Sequence, residues 1–384
     1  KPMNVLTTRE LKERLNELQG QTVMLQGWIR NHRKQKNMGF IDFFDGTCFK
    51  NPQVVYDNTI EDYAAIQALH VGAAITVTGK VVPSYKDPTT PEVQAIAIHL
   101  EGDCPEDYPL QPKRHSVEYL RTIAHLRPRT NRFSAAFRVR SVAAHAMAIH
   151  TYFQDRGYLY VHTPLITAND AEGAGNTFTV TTLPPSEQKD GSNDFFGKPT
   201  SLAVTGQLEA ETFAMAFSKV YTFGPTFRAE NSNTKTHAAE FWMIEPEIAF
   251  CDIHQLMDIE EDFLKYLVKT VLEKCSDELE FLDKFTGGGL LDKLNHLAVT
   301  GAARITHEEA ITILRKVKDR FQFEPKYGED TAKEHEKYLT EEYFHSPVFV
   351  YDWPKDIKAF YMYQNDDGKT VAAVDLLVPG AGEL

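Results

Sequence analysis

The segment FGPTFRAENSNTKTHAAEFWMIEPE, residues 223–247, restricts the possible folds more than any other stretch of the chain. Two alternating apolar segments flank a polar middle of Asn231, Ser232, Asn233 and Thr234. Side chains on a strand alternate faces, so the pattern predicts an antiparallel strand–loop–strand unit with its charges along one face of a sheet. Those charges are Arg228, Glu230, His237, Glu240, Glu245 and Glu247. A surface hairpin with solvated charges is the simpler reading. Trp242–Ile244, however, form a continuous apolar run that predicts a strand buried on both faces, where several carboxylates cannot stay unpaired without a large desolvation cost. A ligand-binding sheet face accounts for the arrangement better.

With 384 residues, 42% hydrophobic and 25% charged, the chain is long enough for two or three domains with buried cores. It contains no run of about 18 apolar residues and no basic-apolar-small N-terminal pattern, so neither a membrane span nor a secretory signal is expected and the cytoplasm is the expected compartment. Cys48, Cys104, Cys251 and Cys275 lie far apart and lack Cys-x-x-Cys spacing, which argues against a zinc site or a disulfide framework. The net charge of -13 means that any nucleic-acid partner must meet a local basic surface. Arg30–Lys36 is one candidate. Lys113–Arg140, with eight Lys or Arg residues against the single acid Glu118, is the other. Basicity alone decides nothing, because a charge run is usually a solvated face.

Residues 4–18 read as a short helix with a capping-box start in TTRE. From 21 to 100, short apolar runs broken by Gly27, Gly39, Gly46 and Pro52 predict about five strands, with one helix between the third and fourth. That pattern matches a small closed Greek-key barrel of the OB type over residues 1–102, a fold that commonly binds single-stranded nucleic acid. Phe43 and Trp28 are expected in its core. Residues 103–130, with Pro105, Pro109 and Pro112, read as a linker. Beyond it, a long amphipathic helix is expected over roughly Arg132–Asp155, then a strand over 157–166 carrying Pro164, further strands in SLAVTG, KVYTFG, PVFVYDW and TVAAVDLLV, and a helical block from about 253 to 345.

Taken in order, the barrel, the linker, GYLYVHTPLIT, TGQLEAE, FRAENSNTKTHAAEFWMIEPE and VDLLVPGAGEL resemble the class II aminoacyl-tRNA synthetases of the aspartate/asparagine subgroup, and most closely its asparagine-specific members. The resemblance covers essentially the whole chain. It implies an α+β multidomain protein, with the OB barrel followed by a catalytic domain at 131–384 built on an antiparallel sheet with flanking helices and a helical insertion at about 253–345. It also implies ATP-dependent transfer of asparagine to tRNA(Asn) through an aminoacyl-adenylate.

By that resemblance, Arg228 grips the α-phosphate of ATP, a task to which its guanidinium fork is suited. Glu230 holds the adenine amino group or a metal-bound water, His237 a terminal phosphate oxygen, and Phe241 stacks on adenine. Asp375 and Glu383 hold a magnesium ion, Mg2+, with phosphate oxygens and water completing its shell. Gln207 and Glu172 take the α-ammonium group. Glu245 accepts a hydrogen bond from the carboxamide, and Ala210 stands where aspartate enzymes carry a lysine; the alternative for Glu245 is a structural partner. Phe40 and Gln53 read the anticodon, with Arg30 contributing from the basic run. A homodimer is expected through 157–166, with Pro164 at the contact and Tyr158, Tyr160 and Val161 supplying apolar area. The family's third motif would follow Glu383, whereas the chain ends at Leu384, so a shortened chain is expected. The competing readings are an aspartate-specific or non-discriminating enzyme, an asparagine synthetase-like amidoligase, and a non-catalytic tRNA-binding protein.

Overall fold

Thr7 caps the first helix, Thr8–Glu13: its side chain accepts the Glu10 N–H while the Glu10 carboxylate accepts the Thr7 N–H at 2.8 Å, closing a capping box. After a break at Arg14 a further turn, Leu15–Leu18, follows, and Leu11, Leu15 and Leu18 are buried in the core of the barrel beside them. The computed structural model describes residues 4–145, 147–171, 176–232, 234 and 236–384. These form two compact units, Lys1–Arg140 with Cys275–Leu290, and Ser141–Lys274 with Leu291–Leu384.

In the first unit, β1 (Thr22–Lys34), β2 (Met38–Phe44), β3 (Gln53–Asp57), β4 (Ala74–Pro83) and β5 (Pro91–Gly102) close a barrel in the order β1-β2-β3-β5-β4-β1. Only the β3–β5 pairing is parallel among the barrel strands. The expected helix, Tyr63–Gln67, lies between the third and fourth strands. Alternate residues such as Leu25, Ile41, Phe43, Val54, Ile75 and Val77 fill the interior. Gly39 is required by close approach, since a Cβ there would lie 2.0 Å from the Tyr56 ring. Trp28 departs from expectation: it is 45% exposed rather than in the core. The helix Ser276–Phe285 belongs to this unit, where Phe281 packs on Phe49 with ring centroids 5.3 Å apart and Lys50 pairs with Asp277.

In the second unit, β6 (Leu159–Tyr160) pairs in parallel with β7 (Lys219–Phe227), and β7 pairs antiparallel with β8 (Glu240–Ile248). A second sheet runs β9 (Ala303–Thr306), β10 (Val348–Pro354), β11 (Thr370–Val378), β12 (Gly382–Glu383). It is covered on both faces, which explains the unbroken apolar runs of β10 and β11. Val348, Val350, Ala373 and Leu377 pack with Ile311 and Leu314, whereas Phe349, Leu376 and Val378 pack with Met257 and Val268. The 22-residue helix Ile253–Lys274 also gives Phe263 and Tyr266 to the cluster around Tyr152, Phe153, Tyr221 and Phe223.

Three further sequence expectations need correction. The helix expected over 132–155 is α-helical at Asn131–Arg140 and Ala148–Asp155, with a π-helical turn at Ser141–His145 and a left-handed Met147 (φ 76°) between them. A π turn inserts a residue into the 3.6-residue repeat, so one amphipathic stripe does not run through. The strand expected over 157–166 is interrupted: Leu159–Tyr160 pairs in one sheet and Ile166–Thr167 in another, with Pro164, which has no N–H to give to a ladder, between them. The block at 253–345 is not wholly helical: β9 lies inside it, pairing in parallel with β10.

Candidate functional site

The β7–β8 register sets the site. Thr222 faces Glu245, Gly224 faces Met243 and Thr226 faces Phe241, so Phe241, Glu245 and Glu247 share a face with the residue that follows β7 two places after Thr226, Arg228. The opposite face carries Phe223, Trp242 and Ile244, with the Phe223 and Trp242 rings 5.2 Å apart. Trp242 is 47% exposed, so β8 is not buried on both faces as its apolar run suggested.

Arg228 is anchored at both ends. Its backbone N–H donates to the Ala239 carbonyl at 3.0 Å, and its guanidinium Nε and Nη2 lie 3.4 and 3.5 Å from the Val204 carbonyl oxygen. The guanidinium carbon sits 5.4 Å from the Phe241 ring centroid. These contacts leave part of the fork free for a further acceptor. Glu230 and His237 are exposed on the connecting loop, and Thr234 Oγ1 contacts His237 Nδ1.

Glu245 lies in the floor. It accepts from the Thr205 hydroxyl and, at 3.0 Å, from the Gly206 N–H, so both carboxylate oxygens are held by the turn that opens the helix Gln207–Phe217. Gly206 permits that turn, since a Cβ would meet Thr163 Oγ1 at 2.4 Å. Gln207 stands at the head of this helix, its N–H on Thr205 Oγ1 at 3.0 Å. Ala210, one turn on, is wholly buried against Val161, Ala214 and Val220 and brings no cation. Glu172, expected beside Gln207, lies outside the described residues. Sequence reasoning missed the structural role of Thr205, Gly206 and the Val204 carbonyl, which only the register of neighbouring segments reveals.

A neighbouring carboxyl has a pronounced shift. Burial, with the charges of Glu245 and Glu211, pushes Glu247 up to about 7. The folded protein thus retains a proton that the unfolded chain releases near 4.5, so this contribution to stability is present below about pH 4.5 and is lost as pH rises through about 7. Glu247→Gln is expected to melt above the parent at pH 8 by about 2–4 °C, the shift that about 1 kcal/mol produces in a domain of this size, with the advantage gone at pH 4.5. Thermal melts across that range would contradict the assignment if the difference did not vary with pH.

Asp375 and Glu383 lie on adjacent strands, Glu383 being paired in register with Leu377. Lys358 Nζ is 3.1 Å from Asp375. Burial, then Asp375, pushes Glu383 upward and drives Glu260 up to about 7; burial, then Glu383, drives Glu336 up to about 7. Among the described residues no three His, Cys, Asp or Glu side chains converge to hold a metal alone. Two oxygen donors amid mutually repelling acids nevertheless suit a hard divalent cation whose shell is completed by phosphate and water.

On the barrel, Arg33 faces Phe40 across β1–β2, and Asp42, on the same face as Phe40, faces Gln53. The Arg33 guanidinium lies 5.4 Å from the Phe40 ring centroid and Nη2 donates to Gln53 Oε1 at 3.0 Å. Arg30 does not join them. It lies over Phe44 at 3.9 Å and donates to the Arg129 carbonyl and to Asn131 Oδ1. A bulge between Ile29 and Asn31 breaks the alternation of β1, so spacing alone could not choose between the two arginines.

The model of the class II tRNA synthetases (D, K and N) matches residues 116–384, and that of the OB-fold nucleic acid binding domain matches residues 23–101. The chain belongs to the class II tRNA synthetases of this group. It is 58% identical to the asparagine–tRNA ligase of Acholeplasma laidlawii, over 99% of this chain and 83% of that one, and 54% identical to the asparagine–tRNA ligase of Clostridium beijerinckii, over 98% and 82%. Among solved structures it resembles asparaginyl-tRNA synthetase from Pyrococcus horikoshii complexed with asparaginyl-adenylate, with a TM-score of 0.83 and 28% identity over 99% of this chain and 82% of that one.

Proposed function

We infer that the protein is an ATP-dependent ligase that joins asparagine to tRNA(Asn) through asparaginyl-adenylate. The observation that carries this reading is the 58% identity to an asparagine–tRNA ligase across 99% of the chain. The asparagine carboxylate attacks the α-phosphorus of ATP and pyrophosphate leaves; a terminal ribose hydroxyl of the tRNA then attacks the acyl carbon and AMP leaves. We assign Arg228 to the α-phosphate oxygens, where its uncommitted N–H groups meet developing charge. Phe241, beneath that guanidinium, is the stacking surface for adenine, and Glu230 and His237 on the loop meet its amino group and the terminal phosphates. Gln207 and Glu172 hold the α-ammonium group, and Glu245 accepts from the side-chain amide. Mg2+ held by Asp375 and Glu383 would neutralise phosphate charge.

For the barrel we propose that Phe40 stacks on an unpaired anticodon base while Gln53 and Arg33 meet its edge, as single-stranded RNA is commonly read. Charging of tRNA(Asn) by Phe40→Ala and Gln53→Ala tests this. Each is expected to lose roughly 5- to 150-fold in kcat/KM, the equivalent of about 1–3 kcal/mol, with adenylate formation intact; unchanged charging by both would overturn it.

We further propose a homodimer. Leu159 and Tyr160, 46% and 38% exposed, form the edge strand β6, and Pro164 is exposed beyond it. Tyr158 and Val161 are buried within the protomer, so they do not supply contact area as the sequence suggested. Sedimentation at micromolar concentration should give twice the 43.6 kDa chain mass; monomers alone would contradict it. Among the described residues no helix is long and apolar enough to cross a membrane, and we propose the cytoplasm as the compartment.

A further inference from the structure

The first unit holds a cavity of about 940 Å³, walled by β1 and β2, the segment from Tyr108 to His115, residues 129–132 and the end of the helix Ser276–Phe285. That volume is at the upper end of small-molecule sites. Among the described residues its wall includes six Lys or Arg side chains and one acid, Asp42, in a chain whose net charge is -13. Burial pushes the Asp42 carboxyl up, against the pull of Arg30 and Arg33.

Aromatic plates are interleaved with the cations. The Trp28 indole is 45% exposed and tilts against Phe44 with ring centroids 5.4 Å apart. Arg114 and Arg132 lie 5.6 and 5.1 Å from the Phe285 ring centroid, with Lys284 beside it in the wall. The Arg30 Nε is buried and has no hydrogen-bond partner among the described residues. A buried guanidinium N–H without an acceptor is costly, and here the protein leaves it at the wall of a basic cavity.

Phe40, Arg33 and Gln53 do not line the cavity, although Asp42, which faces Gln53, does. Trp28 lies five residues from Arg33 along β1, about 16 Å at about 3.3 Å per residue. Lipid chains would not need six cations, and an acidic peptide would not need aromatic plates. A planar base carrying a phosphate uses both.

We propose that this cavity binds a single nucleotide, its base on Trp28 and its phosphate among Arg30, Arg132 and Lys284. Arg30, read from sequence as an anticodon contact, thus acquires a different part. A free nucleotide and a nucleotide unstacked from the tRNA share this chemistry; the second source rests on the tRNA-charging reading above, and the first does not.

Calorimetric titration of the full-length protein with GMP and with inorganic phosphate, alongside tRNA filter binding, tests the proposal in the parent, Trp28→Ala, Lys284→Ala and Arg228→Ala. Both cavity positions are solvent-exposed, so their variants are expected to melt with the parent and to retain asparagine-dependent ATP–pyrophosphate exchange. For a free ligand, GMP binds more tightly than phosphate, Trp28→Ala and Lys284→Ala each weaken it at least tenfold, and Arg228→Ala leaves it unchanged, the scale expected when one stacked base contact is lost. For a tRNA nucleotide, GMP does not bind but both cavity variants lose at least tenfold in tRNA affinity. The proposal is overturned if neither GMP nor tRNA affinity responds to both variants, or if GMP binds no better than phosphate while tRNA affinity is unchanged. In either case intact exchange activity would leave the charging reading standing.

Discussion

Arg228→Ala is expected to lower the rate of asparaginyl-adenylate formation by about 10³-fold or more, with a much smaller change in the apparent affinity for ATP. Charge builds on the α-phosphate oxygens during attack, and a positioned cation that meets it contributes more in the transition state than in the ground state. Transition-state arginines in phosphoryl transfer are worth about 10³–10⁵ in rate. Arg228 is positioned before substrate arrives, by the Ala239 carbonyl on its backbone and by the Val204 carbonyl and Phe241 ring on its side chain. Arg228→Lys should recover little, since an ammonium cannot keep both the Val204 contact and a two-point grip on phosphate. Single-turnover adenylate formation separates the cases: a loss under tenfold in Arg228→Ala, or a loss confined to ATP affinity, would remove this residue from the chemical step.

Glu245→Gln is expected to reduce kcat/KM for asparagine by at least about 10²-fold and to narrow its margin over aspartate. In the parent, an aspartate side chain would meet Glu245 as a like charge in a partly buried floor, whereas the asparagine amide would donate to it. The carboxylate already accepts from Thr205 and Gly206, and a carboxylate oxygen can accept more than one hydrogen bond. Those two contacts fix the carboxylate, and the amide introduced by the substitution would turn its own N–H donors toward one of the same donors. Some loss of thermal stability is therefore expected as well. The ratio of the two kcat/KM values distinguishes recognition from scaffolding: if asparagine and aspartate fall in parallel, Glu245 holds the Thr205–Gly206 turn and does not select the substrate.

The parts of this molecule that the sequence disclosed are those governed by local period and punctuation. The barrel strands alternate between glycine breaks, TTRE carries its own capping chemistry, and the β7–β8 pair is marked by apolar segments around a polar loop. What escaped depends on residues distant in sequence. β9 is four residues long, and its final residue, Thr306, caps the next helix, so its pattern merges with helical signals. The helix Ser276–Phe285 is amphipathic in its own right, but only tertiary contact reveals that Phe281 and Asp277 belong with Phe49 and Lys50. Trp28 was expected in the core because large apolar residues usually are, yet it is exposed at a cavity wall. At the candidate site the sequence singles out Arg228, Phe241 and Glu245 by residue type, but not the backbone carbonyl and turn that hold Arg228 and Glu245.

ATP–pyrophosphate exchange by the full-length protein, with asparagine or aspartate as the sole amino acid, is the most direct test of the account. It predicts robust exchange with asparagine, exceeding that with aspartate by roughly 10³-fold or more, as sites built around a required hydrogen bond can discriminate by about 10⁴–10⁵ without editing. Equal exchange with the two amino acids, or exchange with aspartate alone, would contradict it.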